Sequence, residues 1–319
     1  MTILITEEDC ERVLSIKDSI AVIEEVFRMA GEGTVENPPR FRMPAKKGKG
    51  VQFGAAALHA KQLLGFKVWA NFGSPRKQRW NFLYDMRTSE LLAIVQATTP
   101  SKYRTAAATA VAVRYLTPPE ASVVGIYGTG RQAEAQIEAI CAVRPIRAAH
   151  VYSRTPENRD TFCRRIAERL GISALSVEAP ELVPRDADII VTMTNSTTPV
   201  LFGDWITRPG LVVGVGANHE FEREVDEKIV TMAKLVVVDA KEASQLECGD
   251  LIWPISHGLL RWDQVQELGQ VVAGRVPLPD FASGIILFES QGVTLEDVAI
   301  VAHAYERAKA QGLGREIEL

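Results

Sequence analysis

The segment Gly128-Thr129-Gly130-Arg131-Gln132-Ala133 has the residue types and spacing to hold an anion. It follows the apolar run Val123 to Tyr127 and opens a helix-forming stretch. In this GxGxxA pattern the first glycine permits a tight turn and the second lets the backbone approach a pyrophosphate. Ala133 allows close helix–strand packing, and the free N–H groups of the helix start face the anion. The next apolar run ends at Tyr152-Ser153-Arg154-Thr155. An NAD-specific site carries Asp or Glu at such a strand end for the ribose hydroxyls, whereas Ser and Arg can bind and neutralise a 2′-phosphate. NADP(H) is therefore expected ahead of NAD(H). The alternative is that Arg154 is a solvated surface residue and both cofactors are accepted. His59, His150, His257 and His303 have no metal-ligand spacing, so no metal is expected.

Positioning that turn takes a particular arrangement of elements. From Ala121 the chain alternates short β-rich runs (SVVGIYG, AAHVYS, ADIIVTMT, LVVGVG, KLVVVDA) with helical segments that include Arg131 to Val143 and Pro156 to Leu170. Such alternation implies βαβ units and a Rossmann-type, doubly wound parallel sheet. Thr155 and Pro156 read as N-cap and first helical residue. The preceding part is different. Glu7 to Met29 reads as one amphipathic helix, with Val13, Leu14, Ile16, Ile20, Ile23 and Phe27 at three- and four-residue spacing. ENPPRFRMPAKKGKG reads as loop and edge strand, LLGFKVWANF and NFLYDM as strands of a mainly antiparallel sheet, and Tyr103 to Tyr115 as an Ala-rich buried helix. The last stretch, from about Trp262, reads as helix, the Pro-containing loop RVPLPDF, the strand SGIILFES and a helix from Leu295 to Gln311.

The 319 residues suggest two domains, and 46% hydrophobic with 24% charged residues is the balance of a folded protein, not a disordered tail or coiled coil. Lys plus Arg number 36 against 40 Asp plus Glu, a net charge of −4 that does not favour nucleic acid as partner. Apolar runs such as Leu235 to Val238 fall far short of the roughly 18 residues of a membrane span. The acidic N-terminus does not suggest export, and the scattered Cys10, Cys141, Cys163 and Cys248 fit a reducing cytoplasm.

The pieces PPRFRMP, LLGFKVW, SKYRTAAATA, YGTGRQAEAQ, VGANHEFEREVD, QELGQVVAGR and ILFESQGVTLEDVAIVAHAY together resemble the ornithine cyclodeaminase/mu-crystallin family. The resemblance runs from end to end of the chain, and the RTAA helix start together with the GTGRQA turn is its most specific part. It implies a homodimer whose α+β substrate and dimerisation domain is built from both chain ends, residues 1–117 and 290–319. Residues 118–289 would form the NAD(P)-binding domain. It also implies that Arg40, Lys67 and Arg104 hold a substrate carboxylate, Lys67 being catalytic, and that Thr105 contacts a cofactor phosphate. The chemistry of the residues agrees with this. Arg grips a carboxylate in a bidentate fork, and a Lys buried in an apolar strand beside guanidinium charge has its pKa lowered. The alternative for Lys67 is a strand lysine reaching to the edge. Arg104 is expected at a helix N-terminus, where a cation is disfavoured unless an anion binds.

Two departures from the cyclodeaminases are visible. Where those enzymes carry an Asp that handles the substrate's amino group, this chain has Asn218. The Glu they place in the strand before the lysine has no counterpart in VQFGAAAL. An amide cannot take a proton, so both absences point to simple reduction of an imine. The expected activity is NAD(P)H-dependent reduction of a small imino acid, cyclic ketimine, or α-keto acid with amine. A cyclodeaminase and a cofactor-binding protein without turnover are the rivals. Lys67, Arg104 and Asn218 are the expected catalytic residues, with His219 a candidate proton donor. Gln291 joins Arg40, Lys67 and Arg104 as a substrate contact, and Trp69, Phe72 and Trp80 are expected around the substrate's side-chain end. The expected nucleotide contacts are Thr105, Gly128, Thr129, Gly130, Arg131, Gln132, Ser153, Arg154, Thr155, Thr194, Gly216 and Ala217.

Overall fold

The computed structural model describes residues 1–45, 49–72 and 78–318. Part of the lysine-rich stretch, residues 46–48, lies outside them. The chain forms two compact units, Met1–Ala107 with Val293–Leu319, and Ala108–Gly292. Among the described residues no helix is long and apolar enough to cross a membrane.

The first unit begins with β1 (Thr2–Ile5), α1 (Glu7–Val13) and α2 (Ile16–Glu32). The single helix expected over Glu7 to Met29 is thus two. Leu14 is extended and Ser15 caps α2, its hydroxyl accepting the Asp18 N–H at 3.1 Å. A serine that offers the backbone such a bond interrupts a helix more readily than its apolar spacing suggests. Then come β2 (Val35–Glu36), β3 (Phe41–Ala45), β4 (Lys49–Leu58), β5 (Leu63–Asn71), β6 (Gln78–Asp85), β7 (Leu91–Gln96) and α3 (Thr98–Leu116). This last helix starts five residues before Tyr103, the expected start. The Glu7 carboxylate accepts the Thr98 and Thr99 N–H groups, each at 2.7 Å, and so stabilises a start that Ala content alone does not signal.

The second unit runs β8 (Val123–Tyr127), α4 (Ala133–Cys141), β9 (Ala148–Tyr152), α5 (Pro156–Leu170), β10 (Ser173–Ser176), β11 (Ile189–Thr192), β12 (Gly210–Gly214), α6 (Glu227–Met232), β13 (Leu235–Val238), α7 (Lys241–Glu247), α8 (Gly249–Ser256), β14 (Val265–Glu267), α9 (Leu268–Val272) and β15 (Ile285–Glu289). Its eight strands form one parallel sheet in the order β10-β9-β8-β11-β12-β15-β13-β14. Strands β11 and β15 are buried along their whole length, as a sheet covered on both faces requires. The helix expected from Trp262 is instead a single turn, edge strand β14 and then the short helix α9. Pairing with β13 overrides local propensity there.

The chain then returns to the first unit with α10 (Thr294–Ala310) and β16 (Arg315–Ile317). The sheet of this unit reads β16-β1-β7-β6-β5-β4-β2, with β3 on β4, and only the β1–β7 pair is parallel. One face packs against α10. The other carries Phe41 and Phe53, 54% and 46% exposed, and the stacked pair Phe66 and Phe82.

Two glycines allow the close approach of α10. A Cβ on Gly54 would meet the Thr294 hydroxyl, and one on Gly65 would lie 2.9 Å from both the Phe82 carbonyl oxygen and a Val298 methyl. Backbone cannot yield as a side chain can. Gly65→Val is expected to destabilise the protein by about 1–3 kcal/mol, the usual cost of overpacking, read as a lower denaturant midpoint. An unchanged midpoint would show that α10 is not seated this way.

Candidate functional site

Strand register and the α10 approach together build a cluster in the first unit. Lys67 lies opposite Gly54 on one side and Asn81 on the other. Its Nζ donates to Ser101 Oγ and to Asp297 Oδ1, each at 2.7 Å. Arg104 donates to the fully buried Glu296 at 2.8 Å, and its Nε lies 3.3 Å from Asp297 Oδ1. Burial lowers the Lys67 pKa, Asp297 opposes this, and Arg104 and Arg79 add to it, leaving it at about 8. Burial pushes Asp297 up, but Arg104, Lys67 and Arg40 outweigh it and hold the carboxyl below its usual range. Arg40, between β2 and β3, thus acts on the same carboxylate.

The expected positions of Arg104 and Trp80 need correction. Arg104 is not at a helix N-terminus: α3 begins at Thr98, and the anions facing Arg104 are the protein's own Glu296 and Asp297. Trp69 shares the Lys67 face of β5, but Trp80 is adjacent to Asn81 on β6 and faces the opposite way. Phe72 lies beyond the end of β5 and is exposed. Gln291 belongs to the second unit, where its Oε1 accepts the Ser244 hydroxyl at 2.7 Å. The Thr105 hydroxyl donates back to the Ser101 carbonyl within α3. The sequence reading passed over Ser101, Glu296 and Asp297. Ser101 lies one turn before Arg104 in SKYR, and the two acids stand side by side in TLEDVA, so adjacent buried-helix acids were the signal available.

In the second unit the expected nucleotide residues gather at the carboxyl ends of β9, β8, β11 and β12, neighbours in the sheet. That is where parallel α/β sheets hold ligands. Gly128 has φ +102°, and a Cβ there would lie 2.8 Å from the Met193 carbonyl oxygen, so only glycine fits the turn. At Gly130 a Cβ would meet nothing within 4 Å, and that open space fits a pyrophosphate before the start of α4. Arg154 is exposed. Thr155 occupies the N-cap position without a side-chain cap bond. Buried Arg159 donates to the Ser153 carbonyl at 3.2 Å and to Ser176 Oγ at 2.8 Å, fixing the backbone beside Arg154. Glu224, also missed from sequence, accepts N–H groups from both Thr194 and Gly216 and so ties together the loops after β11 and β12. Burial raises its pKa, and these bonds oppose the rise. The Asn218 amide donates to the Gly216 carbonyl at 3.1 Å, Ala217 is buried, and His219 stacks on Phe221.

A parallel-sheet unit with a dinucleotide turn, joined to an α+β unit with a buried cationic cluster, defines a nicotinamide-dependent oxidoreductase acting on small carboxylates. The chain belongs to the ornithine cyclodeaminase/mu-crystallin family, whose model matches residues 1–312. It is 37% identical over 237 residues to a Delta(1)-pyrroline-2-carboxylate reductase of Bacillus cereus, covering 74% of this chain and 73% of that one. Among solved structures, the Thermococcus litoralis Delta(1)-pyrroline-2-carboxylate reductase in complex with NADH and L-proline matches with TM-score 0.93 and 31% identity, covering 99% of this chain and 100% of that one. An archaeal alanine dehydrogenase dimer with bound NAD matches with TM-score 0.93 and 29% identity, covering 100% and 99%.

The ammonium of Lys67 is present below its pKa and lost above it. Affinity for a small carboxylate such as acetate is expected to fall as pH rises through about 8. Lys67→Met should weaken binding at neutral pH and flatten the profile, by calorimetric titration. A wild-type profile without a break between pH 7 and 9 would remove Lys67 from the anion site.

Proposed function

We propose that this protein is an NAD(P)H-dependent reductase of small imino acids or cyclic ketimines. The observation that carries the proposal is Lys67, half-buried between Asp297 and Ser101 with its pKa lowered to about 8. Reducing a C=N bond requires a hydride at carbon and a proton at nitrogen. The Gly128 to Ala133 turn would hold a nicotinamide dinucleotide, which would supply the hydride. Arg104 and Arg40 bind the carboxylate through charge-assisted hydrogen bonds, and the Lys67 ammonium adds its positive charge. Lys67 has a third N–H beyond its two bonds, and a pKa near neutrality suits it to give that proton to the imine nitrogen. Asp297 holds the ammonium in place, and Glu296 holds the Arg104 guanidinium. The pyrroline-2-carboxylate reductases among its relatives support this substrate class.

NADP(H) is the preferred cofactor on this reading. Ser153 and Arg154 stand where a carboxylate would repel the 2′-phosphate, and Arg159 fixes the backbone they share. The working form is a homodimer. The sheet face with Phe41, Phe53, Phe66 and Phe82 is a partly exposed apolar surface of the kind that protomers cover in pairs.

A spectrophotometric screen with 1-pyrroline-2-carboxylate and 1-piperideine-2-carboxylate is expected to show stoichiometric oxidation of NADPH, faster than of NADH. Arg154→Ala should raise the KM for NADPH more than that for NADH. Ammonia release without net nicotinamide oxidation would overturn the reductase in favour of a cyclodeaminase. Equal effects of Arg154→Ala on both cofactors would remove the 2′-phosphate contact.

Light scattering is expected to give about twice the 35.0 kDa chain mass. A monomer at micromolar concentration would contradict the assembly.

A further inference from the structure

Asn81 is 2% exposed, and neither Oδ1 nor Nδ2 of its carboxamide has a hydrogen-bond partner. It faces Lys67 across the β5–β6 pair, with fully buried Val95 opposite it on β7 and fully buried Leu83 two residues on. A buried amide with no partner is costly, because the water it gave up is not replaced. A leucine of similar volume would fill this place without that cost. It stands beside the lysine that the proposed function places on the substrate, and of the two side chains on this face without a partner, Asn81 and Trp69 at its Nε1, it alone offers an acceptor.

We propose that Asn81 is a specificity-determining substrate contact, its carboxamide oxygen accepting the N–H of a protonated imine or of the amine product. The inference deepens the imine-acid reading of the same site and rests on it. The carboxylate-binding cations repel a protonated nitrogen, and the carboxylates that cyclodeaminases use for an amino group are absent at Asn218 and in VQFGAAAL. Asp297 and Glu296 are engaged by Lys67 and Arg104. An uncharged acceptor beside Lys67 stabilises the iminium without drawing the lysine proton away. It selects carboxylates that bear an α-nitrogen with an N–H.

The test compares L-proline with cyclopentanecarboxylate, which has the same ring size and carboxylate but no nitrogen. Both are titrated calorimetrically into the full-length protein with its oxidised nucleotide present. Wild type is expected to prefer L-proline by roughly 10- to 100-fold, the range of a hydrogen bond to a charged group. Asn81→Leu should abolish that preference while leaving cyclopentanecarboxylate affinity within about threefold. Asn81→Asp, which keeps an acceptor in the same shape, should retain it and serves if the leucine variant does not fold. A preserved preference in Asn81→Leu, equal losses for both ligands, or loss of the preference in Asn81→Asp would each overturn the assignment. Turnover of 1-pyrroline-2-carboxylate by wild type is scored separately. A nitrogen preference without turnover overturns the reductase and keeps the contact. Turnover unaffected by Asn81→Leu overturns the contact alone.

Discussion

The seating of the first turn of α10 on β4 and β5 is the constraint from which the first unit's chemistry follows. Gly54 and Gly65 lack the atoms that would hold the helix away, so Glu296 and Asp297 arrive against Lys67 and Arg104. Burial makes that meeting consequential. In water a lysine and an aspartate at 2.7 Å would interact weakly; here desolvation lowers the lysine's pKa and Asp297 keeps it from falling further. Without the carboxylate, three neighbouring cations would repel one another. Without the cations, burial would raise the pKa of Asp297.

The second unit solves a different problem by related means. Its parallel strands end in loops, and Glu224 holds two of them by their backbone N–H groups. Asp250 in turn accepts the N–H groups of Glu224 and Val225, at 2.9 and 3.0 Å. The backbone at Thr194 and Gly216, where nucleotide contacts are expected, is thus held by a buried carboxyl group. At the other end of the row, Arg159 does the same for Ser153. Cofactor binding on this reading relies on backbone held in place by buried ionisable side chains, with Arg154 as the exposed contributor.

Both units place a charged side chain out of water and satisfy it with partners distant in sequence. Asp297 and Lys67 are 230 residues apart, and Glu224 and Thr194 are 30 apart. Such groups fold correctly only when the whole unit does, and they tie the geometry of each site to the integrity of its sheet.

The parallel sheet was legible in the sequence because its interior strands are continuous β-branched runs and its phosphate turn needs glycine at fixed places. Lys67 was legible as a cation inside an apolar strand, and α5 by Thr155 and Pro156 at its start. The split of the first helix, the early start of α3 and the short strand β14 were not legible. Each depends on a cap or a strand partner: Ser15 on the backbone of Asp18, Glu7 on Thr98 and Thr99, and β13 beside β14. The partners of Lys67 and Arg104 were hidden for the same reason. Local spacing records which face of an element is apolar, so the sequence by itself determined the elements and the class of chemistry. Which buried charge meets which depends on contacts across hundreds of residues, and only the tertiary structure decided that.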